Sequence, residues 1–231
     1  MDFFDAVKAR RSIRKFKEDP IPEEVMERAL DAAVLAPNSS NMQTWDFYWV
    51  RTAEKKAALV EYCLKQSAAR TAAELVVITA DPALWQRSNP EMVKFTEEVN
   101  APSSVKHYYK HLIPLTYRWG LLNAAVPLKW LTTRLGSLKR PLTRGPHSLR
   151  DLQEVAIKSA ALAAENFVLA LSAQGYATCM MEGFDEPRVK GLLGLGDSCR
   201  VVMVVAAGLE GARGTWGPQF RIPKEKVVHR V

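Results

Sequence analysis

Cysteine is scarce in this 231-residue chain: there are three, Cys63, Cys179 and Cys199, and no CxxC pair. That argues against a disulfide framework or a tetrahedral zinc site, and for a reducing compartment, the cytoplasm. The N-terminus, MDFFDAVKARRS, lacks an apolar run and carries Asp2 and Asp5, so it reads as neither a signal nor a transit peptide. Internal repeats and low-complexity tracts are absent as well. Acid is missing from one long stretch, Val99 to Arg150, which holds nine Lys and Arg residues. Those nine more than account for the net charge of +7, so the rest of the chain is near neutral. What remains is ordinary globular usage, 48% apolar and 25% charged, with length enough to bury a core unaided.

The pattern along the chain predicts alternating helices and strands. A short helix spans Asp2–Ala9. Pro20-Ile21-Pro22-Glu23-Glu24 starts a second, whose stripe of Val25, Ala29, Ala32, Ala33 and Ala36 ends before Pro37. Trp45–Val50 is apolar on both faces, as a central strand would be. Thr52 can cap a helix running to about Arg70, and Leu75–Thr79 reads as a buried strand. Residues 85–147 carry six prolines and no clean period, and read as an irregular insert. Ser148 and Asp151 resemble a capping box opening an alanine-rich helix that closes at Gly175. A strand at Ala177–Met181, a helix from Asp185 to Gly194 and a buried strand at Val201–Ala207 follow, and then a tail. This order predicts a mixed α/β sheet covered by helices, in one domain over 1–231 with an insert or lid at about 85–147.

Four clusters carry chemistry. Arg10-Arg11-Ser12-Ile13-Arg14 offers three guanidiniums and a hydroxyl, suited to a phosphate. Pro37-Asn38-Ser39-Ser40-Asn41 is dense in donors and acceptors just before a strand. Met181-Glu182-Gly183-Phe184-Asp185 lies between a strand end and a helix start, where glycine admits a ligand close to the backbone. Phe220-Arg221-Ile222-Pro223 supplies another guanidinium. Taken singly, each also fits a plain solvated turn.

Together, in this order and spacing, they resemble the nitroreductase-like FMN-dependent oxidoreductases. RRSIRKF followed by APNSSNMQTW carries most of the likeness, and MEGFD and FRIP support it. The resemblance implies an α+β fold, a three-layer α/β/α sandwich whose mixed, mostly antiparallel sheet has helices on both faces, and a homodimer with FMN at the interface. It implies that Arg10 and Ser12, joined by Arg221, bind the FMN phosphate, with Arg11 also in the cofactor site and Arg14 near the ribityl chain and pyrimidine edge. Asn38, Ser39 and Asn41 would come from the partner subunit, and Pro37 would also belong to the cofactor site. Gln66 would reach the pyrimidine edge, and the Glu182 and Gly183 backbone would face flavin N5 and O4. It further implies NAD(P)H as electron donor and ping-pong hydride transfer through N5 to a nitroaromatic, quinone or activated alkene. No side chain is assigned as a general acid, and no metal is implied. Thr44, Met180 and Gln219 depart from residues common in the family. Gly191-Leu192-Leu193-Gly194-Leu195-Gly196 has the wrong spacing for a dinucleotide fingerprint.

The insert should choose the substrate. Its aromatics and cations fit a helical lid, a pocket for an anionic or quinone-like acceptor, or a segment at an anionic membrane surface, with Trp119 and Trp130 flanked by Lys and Arg. Pro114, Arg118, Pro127 and Lys129 interrupt any spanning helix within it. No nucleic-acid motif accompanies the charge. The absence of an acid in the insert after Glu98 disfavours a lid of the iodotyrosine-deiodinase kind. An alternative to the reductase is a flavin-binding protein of the same fold acting as a dehydrogenase, an oxidase or a membrane- or partner-associated sensor.

Overall fold

The computed structural model describes residues 1–118, 126–138, 141–143 and 145–231. Four strands, β1 (Trp45–Val50), β2 (Glu74–Ala80), β3 (Ala177–Met181) and β4 (Arg200–Gly208), form one sheet in the order β1-β2-β4-β3. All three strand pairs are antiparallel, and a bulge opposite Ile78–Thr79 leaves Val202 between registers. Ser12 adds a parallel bridge to Thr178, laying the N-terminal segment along the β3 edge.

In chain order the helices are α1 (Phe3–Ala9), α2 (Glu23–Val34), α3 (Ala53–Tyr62), α4 (Ser67–Thr71) and α5 (Trp85–Glu98). They continue with α6 (Ser103–His107), α7 (Ile113–Tyr117), α8 (Val126–Gly136), α9 (Leu149–Ala173) and α10 (Glu186–Leu193). Strand alternation sends Val76, Ile78 and Ala80 of β2 toward α2 and α9, and Leu75 and Val77 toward α3, α4 and α10. The sheet is therefore covered on both faces, giving the expected three-layer α+β sandwich.

α9 is the central helix. Ala156, Ala160, Ala163 and Ala164 are fully buried, and side chains this small let α9 lie close to the sheet and to Ala29 and Ala33 of α2. Phe167 fills the space beyond them. The capping box is formed: Ser148 Oγ accepts from the Asp151 N–H, and Asp151 Oδ2 accepts from Ser148 and His147. Those backbone donors, His147 first, hold the Asp151 carboxyl below its ordinary range. α9 has the length and apolarity of a membrane span, yet one side of it forms the core of the sandwich.

Three expectations need correction. The helix from Thr52 breaks at Cys63, where Leu64 and Lys65 adopt left-handed φ values of 57° and 54°, and restarts as α4. Neither residue is glycine, so no sequence signal marked the break. β1 is an edge strand, not a central one; it is apolar on both faces because helical layers cover both. Its outer edge is met by Arg87, which donates to the carbonyls of Gln43 and Trp45 and pairs with Asp46 at 2.8 Å. Finally, the described residues between 85 and 138 are largely helical. Pro102, Pro114 and Pro127 stand at or just before helix starts, where the missing N–H costs no internal bond. Pro90 lies deeper, beyond the first turn of α5. Trp119, Lys139, Arg140 and Arg144 lie outside the described residues.

Candidate functional site

The first site element is a cleft of ~280 Å³ lined by Arg10, Arg11, Ser12 and Arg14 on one side and the tail segment Thr215–Arg221 on the other. It exists because the chain beyond α1 is pinned in extended form. The Ile13 N–H donates to Thr178 of β3 at 2.9 Å, and the Arg14 N–H donates to Gly214 at 2.8 Å. An extended backbone sends Arg10, Ser12 and Arg14 to one side. Arg11 reaches across to the Gly217 carbonyl and ties the tail to the arginine segment. Arg10 pairs with Glu165 of α9 at 3.6 Å. Among the described residues, Arg11, Arg14 and Arg221 have no carboxylate partner. Four guanidiniums line this cleft, with Glu165 and Glu210 to one side of Arg10, and the excess of cations makes an anion-binding set.

The second element lies farther along β3. Gln66, the residue before α4, donates from Nε2 to the Gly183 carbonyl at 2.6 Å and to Cys63 at 3.1 Å. Glu182 and Gly183 are exposed at the strand end, and Asp185 caps α10 directly behind them. From Thr178 beside Ser12 to Gly183 is five residues of nearly extended chain, roughly 16 Å. Beneath this edge is Cys179, whose thiol burial pushes up, against the opposing pull of Arg14.

The third element is the loop after α2. Asn38 Oδ1 accepts from the Gln43 N–H at 2.8 Å, and Asn38 Nδ2 donates to Asn41 Oδ1 at 3.3 Å. Ser40, Asn41 and Gln43 hold left-handed φ angles. The Ser40 hydroxyl lies 2.6 Å from the Tyr108 hydroxyl, and Tyr109 donates to the Ser40 carbonyl at 3.2 Å, so α6 and its extension clamp the loop. A largely apolar cavity of ~650 Å³ opens beside it, between Ser39, Ser40, Tyr108, Leu112, Tyr117 and His147. Burial pushes the Tyr117 hydroxyl up to about 12, so it stays protonated at neutral pH.

The sequence matches the nitroreductase family over residues 7–209. The chain belongs to the nitroreductase family. Protein DrgA of Synechocystis is 28% identical over 209 residues, covering 90% of this chain and 84% of that protein. A Thermus thermophilus NADH dehydrogenase is 27% identical over 231 residues, covering 99% and 95%. An Exiguobacterium sibiricum protein solved in complex with FMN superposes with a TM-score of 0.75 at 22% identity, covering 100% of this chain and 98% of that one. The fold is the nitroreductase fold.

Within one nitroreductase chain, the expected site residues fall into separate groups. Arg10, Arg11, Ser12, Arg14 and Arg221 meet in the cleft, and Gln66, Glu182 and Gly183 meet at the strand end. Pro37, Asn38, Ser39 and Asn41 do not line the cleft; the Ser39 N–H donates to Ser159 of α9, Asn41 donates to Met92 of α5, and Asn38 bonds within the loop.

Three residues that matter to the cleft went unnoticed in the sequence: Gly208, Gly211 and Gly214, spaced by three. A Cβ on Gly208 would stand 3.0 Å from the Phe16 side chain, and one on Gly211 would stand 3.0 Å from the Phe16 carbonyl carbon. On Gly214 it would meet Ile13 Cγ2 at 2.7 Å. The arginine segment thus lies directly on a glycine-lined backbone. The G-x-x-G-x-x-G spacing was the available signal.

Proposed function

We propose that this protein is an FMN-dependent oxidoreductase that takes electrons from NAD(P)H and passes them to an electrophilic small molecule such as a nitroaromatic, a quinone or an activated alkene. The arginine cleft carries this reading. Its donor set fits an elongated ligand with an anionic end, and the exposed Glu182–Gly183 backbone lies at the reach of that ligand's far end. Arg10, Arg11, Ser12 and Arg221 would hold the FMN phosphate. Arg14 would place positive charge beside the ring system and favour its anionic reduced form. Gln66 and the Glu182–Gly183 backbone would orient the ring. When bound, FMN supplies the hydride chemistry, and the protein supplies position and electrostatics.

A homodimer completes this reading. Phe3, Phe4 and Val7 of α1, Leu35 after α2, and Leu162 of α9 expose apolar surface, and Trp216 and Phe220 stand out on the tail. Burying them against a second copy would bring the Asn38–Asn41 loop and the neighbouring ~650 Å³ cavity to the partner's cleft. The acceptor would then occupy that cavity, within the insert that was expected to select it. The single-domain organisation, with residues 85–147 as an insert, belongs to the same proposal.

The test is an absorbance spectrum of the purified protein, reconstituted with FMN and titrated anaerobically with NADH and then NADPH. Flavin bands bleached by either nucleotide support the proposal. Bound flavin that neither bleaches would favour the dehydrogenase, oxidase or sensor alternative, and failure to bind FMN would refute the site.

A further inference from the structure

Ser40 and Tyr108 bring two hydroxyls within 2.6 Å of each other, and both residues line the ~650 Å³ cavity. Each hydroxyl carries one proton, and the bond between them uses one of the two. Among the described residues neither oxygen has a further partner, so the second proton is available to whatever enters the cavity. The pair is held in place. Tyr109 donates to the Ser40 carbonyl at 3.2 Å, and Ser40 keeps a left-handed φ of 55°. A residue other than glycine holds that conformation only where its surroundings impose it, and such strain concentrates at functional sites. Ser40 also stands between Ser39 and Asn41, in the loop that the proposed homodimer brings to the partner's cleft. Tyr117 lines the same cavity but is 5% exposed, and burial pushes its hydroxyl up to about 12. Tyr108 is 37% exposed and can recover a proton from water.

We propose that the Ser40–Tyr108 pair is the proton donor to a conjugated carbonyl compound reduced in this cavity. The proposal rests on the reading that the electron acceptor occupies the cavity. A phenol is a stronger acid than an alcohol, so Tyr108 donates to Ser40 and the Ser40 proton is the one offered to the acceptor. For an enone, the hydride of a reduced nicotinamide, supplied by the reductase activity, forms a C–H bond at the β carbon. The alkene electron pair moves to the bond between the α carbon and the carbonyl carbon. The carbonyl π pair moves onto oxygen, and that oxygen takes the Ser40 proton. Ser40 takes the Tyr108 proton, and the phenolate takes one from water. The enol becomes the saturated ketone in solvent, one hydride and one proton having been added. A donor aimed at the oxygen where negative charge develops favours the transition state over the bound substrate.

The experiment has two readouts on the full chain. The first is rapid-mixing reoxidation of the FMN-loaded, reduced protein by 2-cyclohexen-1-one and by ferricyanide, which takes electrons without a proton. Tyr108→Phe should lower the enone-to-ferricyanide rate ratio about a hundredfold. Tyr109→Phe loosens the same loop and keeps both hydroxyls of the pair, so the ratio should stay near that of the wild type. The second is infrared difference spectroscopy of cyclohexanone labelled with carbon-13 at the carbonyl, which needs no turnover and no flavin. Its bound carbonyl stretch should lie lower on the wild type than on Ser40→Ala/Tyr108→Phe. A ratio unchanged in Tyr108→Phe, or a carbonyl stretch that the double variant leaves in place, overturns the proposal. So does a ratio that falls as far in Tyr109→Phe, which would assign the effect to clamping of the loop. His147 also lines the cavity, and a ratio lost in His147→Gln but kept in Tyr108→Phe would give the proton to the imidazole instead. Failure to bind FMN would refute the flavin reading, while the infrared shift would still decide for or against the pair.

Discussion

The backbone N–H of Arg14 donates to the carbonyl of Gly214 across 2.8 Å, and this bond joins the two chain segments that make the cleft. It forms only because Gly214 has no side chain: a Cβ there would stand 2.7 Å from Ile13 Cγ2 and 3.2 Å from the Lys15 carbonyl oxygen. Gly214→Ala should therefore displace the arginine segment from its backing. The expected cost is about 1–3 kcal/mol of stability, by analogy with overpacked cores, together with weaker FMN binding. Gly217→Ala is the control, since a Cβ at that position meets nothing within 4 Å. Urea unfolding and flavin fluorescence titration of both variants check the pair. Equal behaviour of the two would remove the packing argument.

Arg10 and Arg221 approach the cleft from opposite segments, one after α1 and one in the tail. A hydrogen bond to a charged group contributes roughly 1.5–3 kcal/mol, which is about ten- to a hundredfold in affinity. Arg10→Ala and Arg221→Ala should each weaken FMN binding by about that factor, and the double variant should purify without flavin. Riboflavin, which lacks the phosphate, should bind wild type and variants alike. Riboflavin affinity that falls in parallel with FMN affinity would mean that the arginines serve the fold and not the phosphate.

How much of this was legible in the sequence depended on whether local chemistry decided the outcome. The α9 capping box was legible because Ser148 and Asp151 bond to their own neighbourhood. Gly175 and Gly194 closed their helices with positive φ, as their residue type suggests. The break at Leu64–Lys65 was not legible, since two ordinary residues are driven into left-handed conformations by the chain around them. The edge position of β1 was hidden because burial on two faces and a central position leave the same apolar pattern. The helices of the insert were masked by prolines that read as breakers and stand instead at helix starts. For the site, the arginine cluster and the Glu182–Gly183 turn were visible as residue types. The glycines at 208, 211 and 214 looked like tail until their contact with Ile13 and Phe16 appeared.

Asn38 and Asn41 organise a loop that one chain does not bring to its own arginine cleft. If the second copy supplies it, the two halves should complement. Arg10→Ala/Arg221→Ala chains and Asn38→Ala/Asn41→Ala chains should each form dimers that hold FMN poorly. A mixed dimer has one site carrying both defects and one carrying neither. Co-expression with two affinity tags should therefore recover mixed dimers with close to one tightly held flavin. Mixed dimers as poor in flavin as both parents would place the loop and the cleft in unrelated sites.

Glu97 on α5 accepts from Lys106 at 2.8 Å and from Lys110 at 2.5 Å, tying α5 to α6 and the turn beyond it. Those hydrogen bonds, Lys106 first, hold its carboxyl down at about 2 from an ordinary 4.5. The folded value lies below the unfolded one, so the carboxylate stabilises the fold fully above pH 4.5 and loses that effect as pH falls toward 2. Glu97→Gln mimics the protonated acid. The gap in melting temperature between wild type and this variant should be constant from neutral pH down to about 4.5. Below that it should close, and in high salt it should be small throughout, because the group is exposed to solvent. Carbon-13 NMR of the Glu97 carboxyl should show the titration midpoint directly, well below that of a free glutamate. A midpoint at the ordinary value would mean that the lysines do not hold Glu97 in solution, and that the first part of the insert is tied down by Tyr108 and Tyr109 on Ser40 instead.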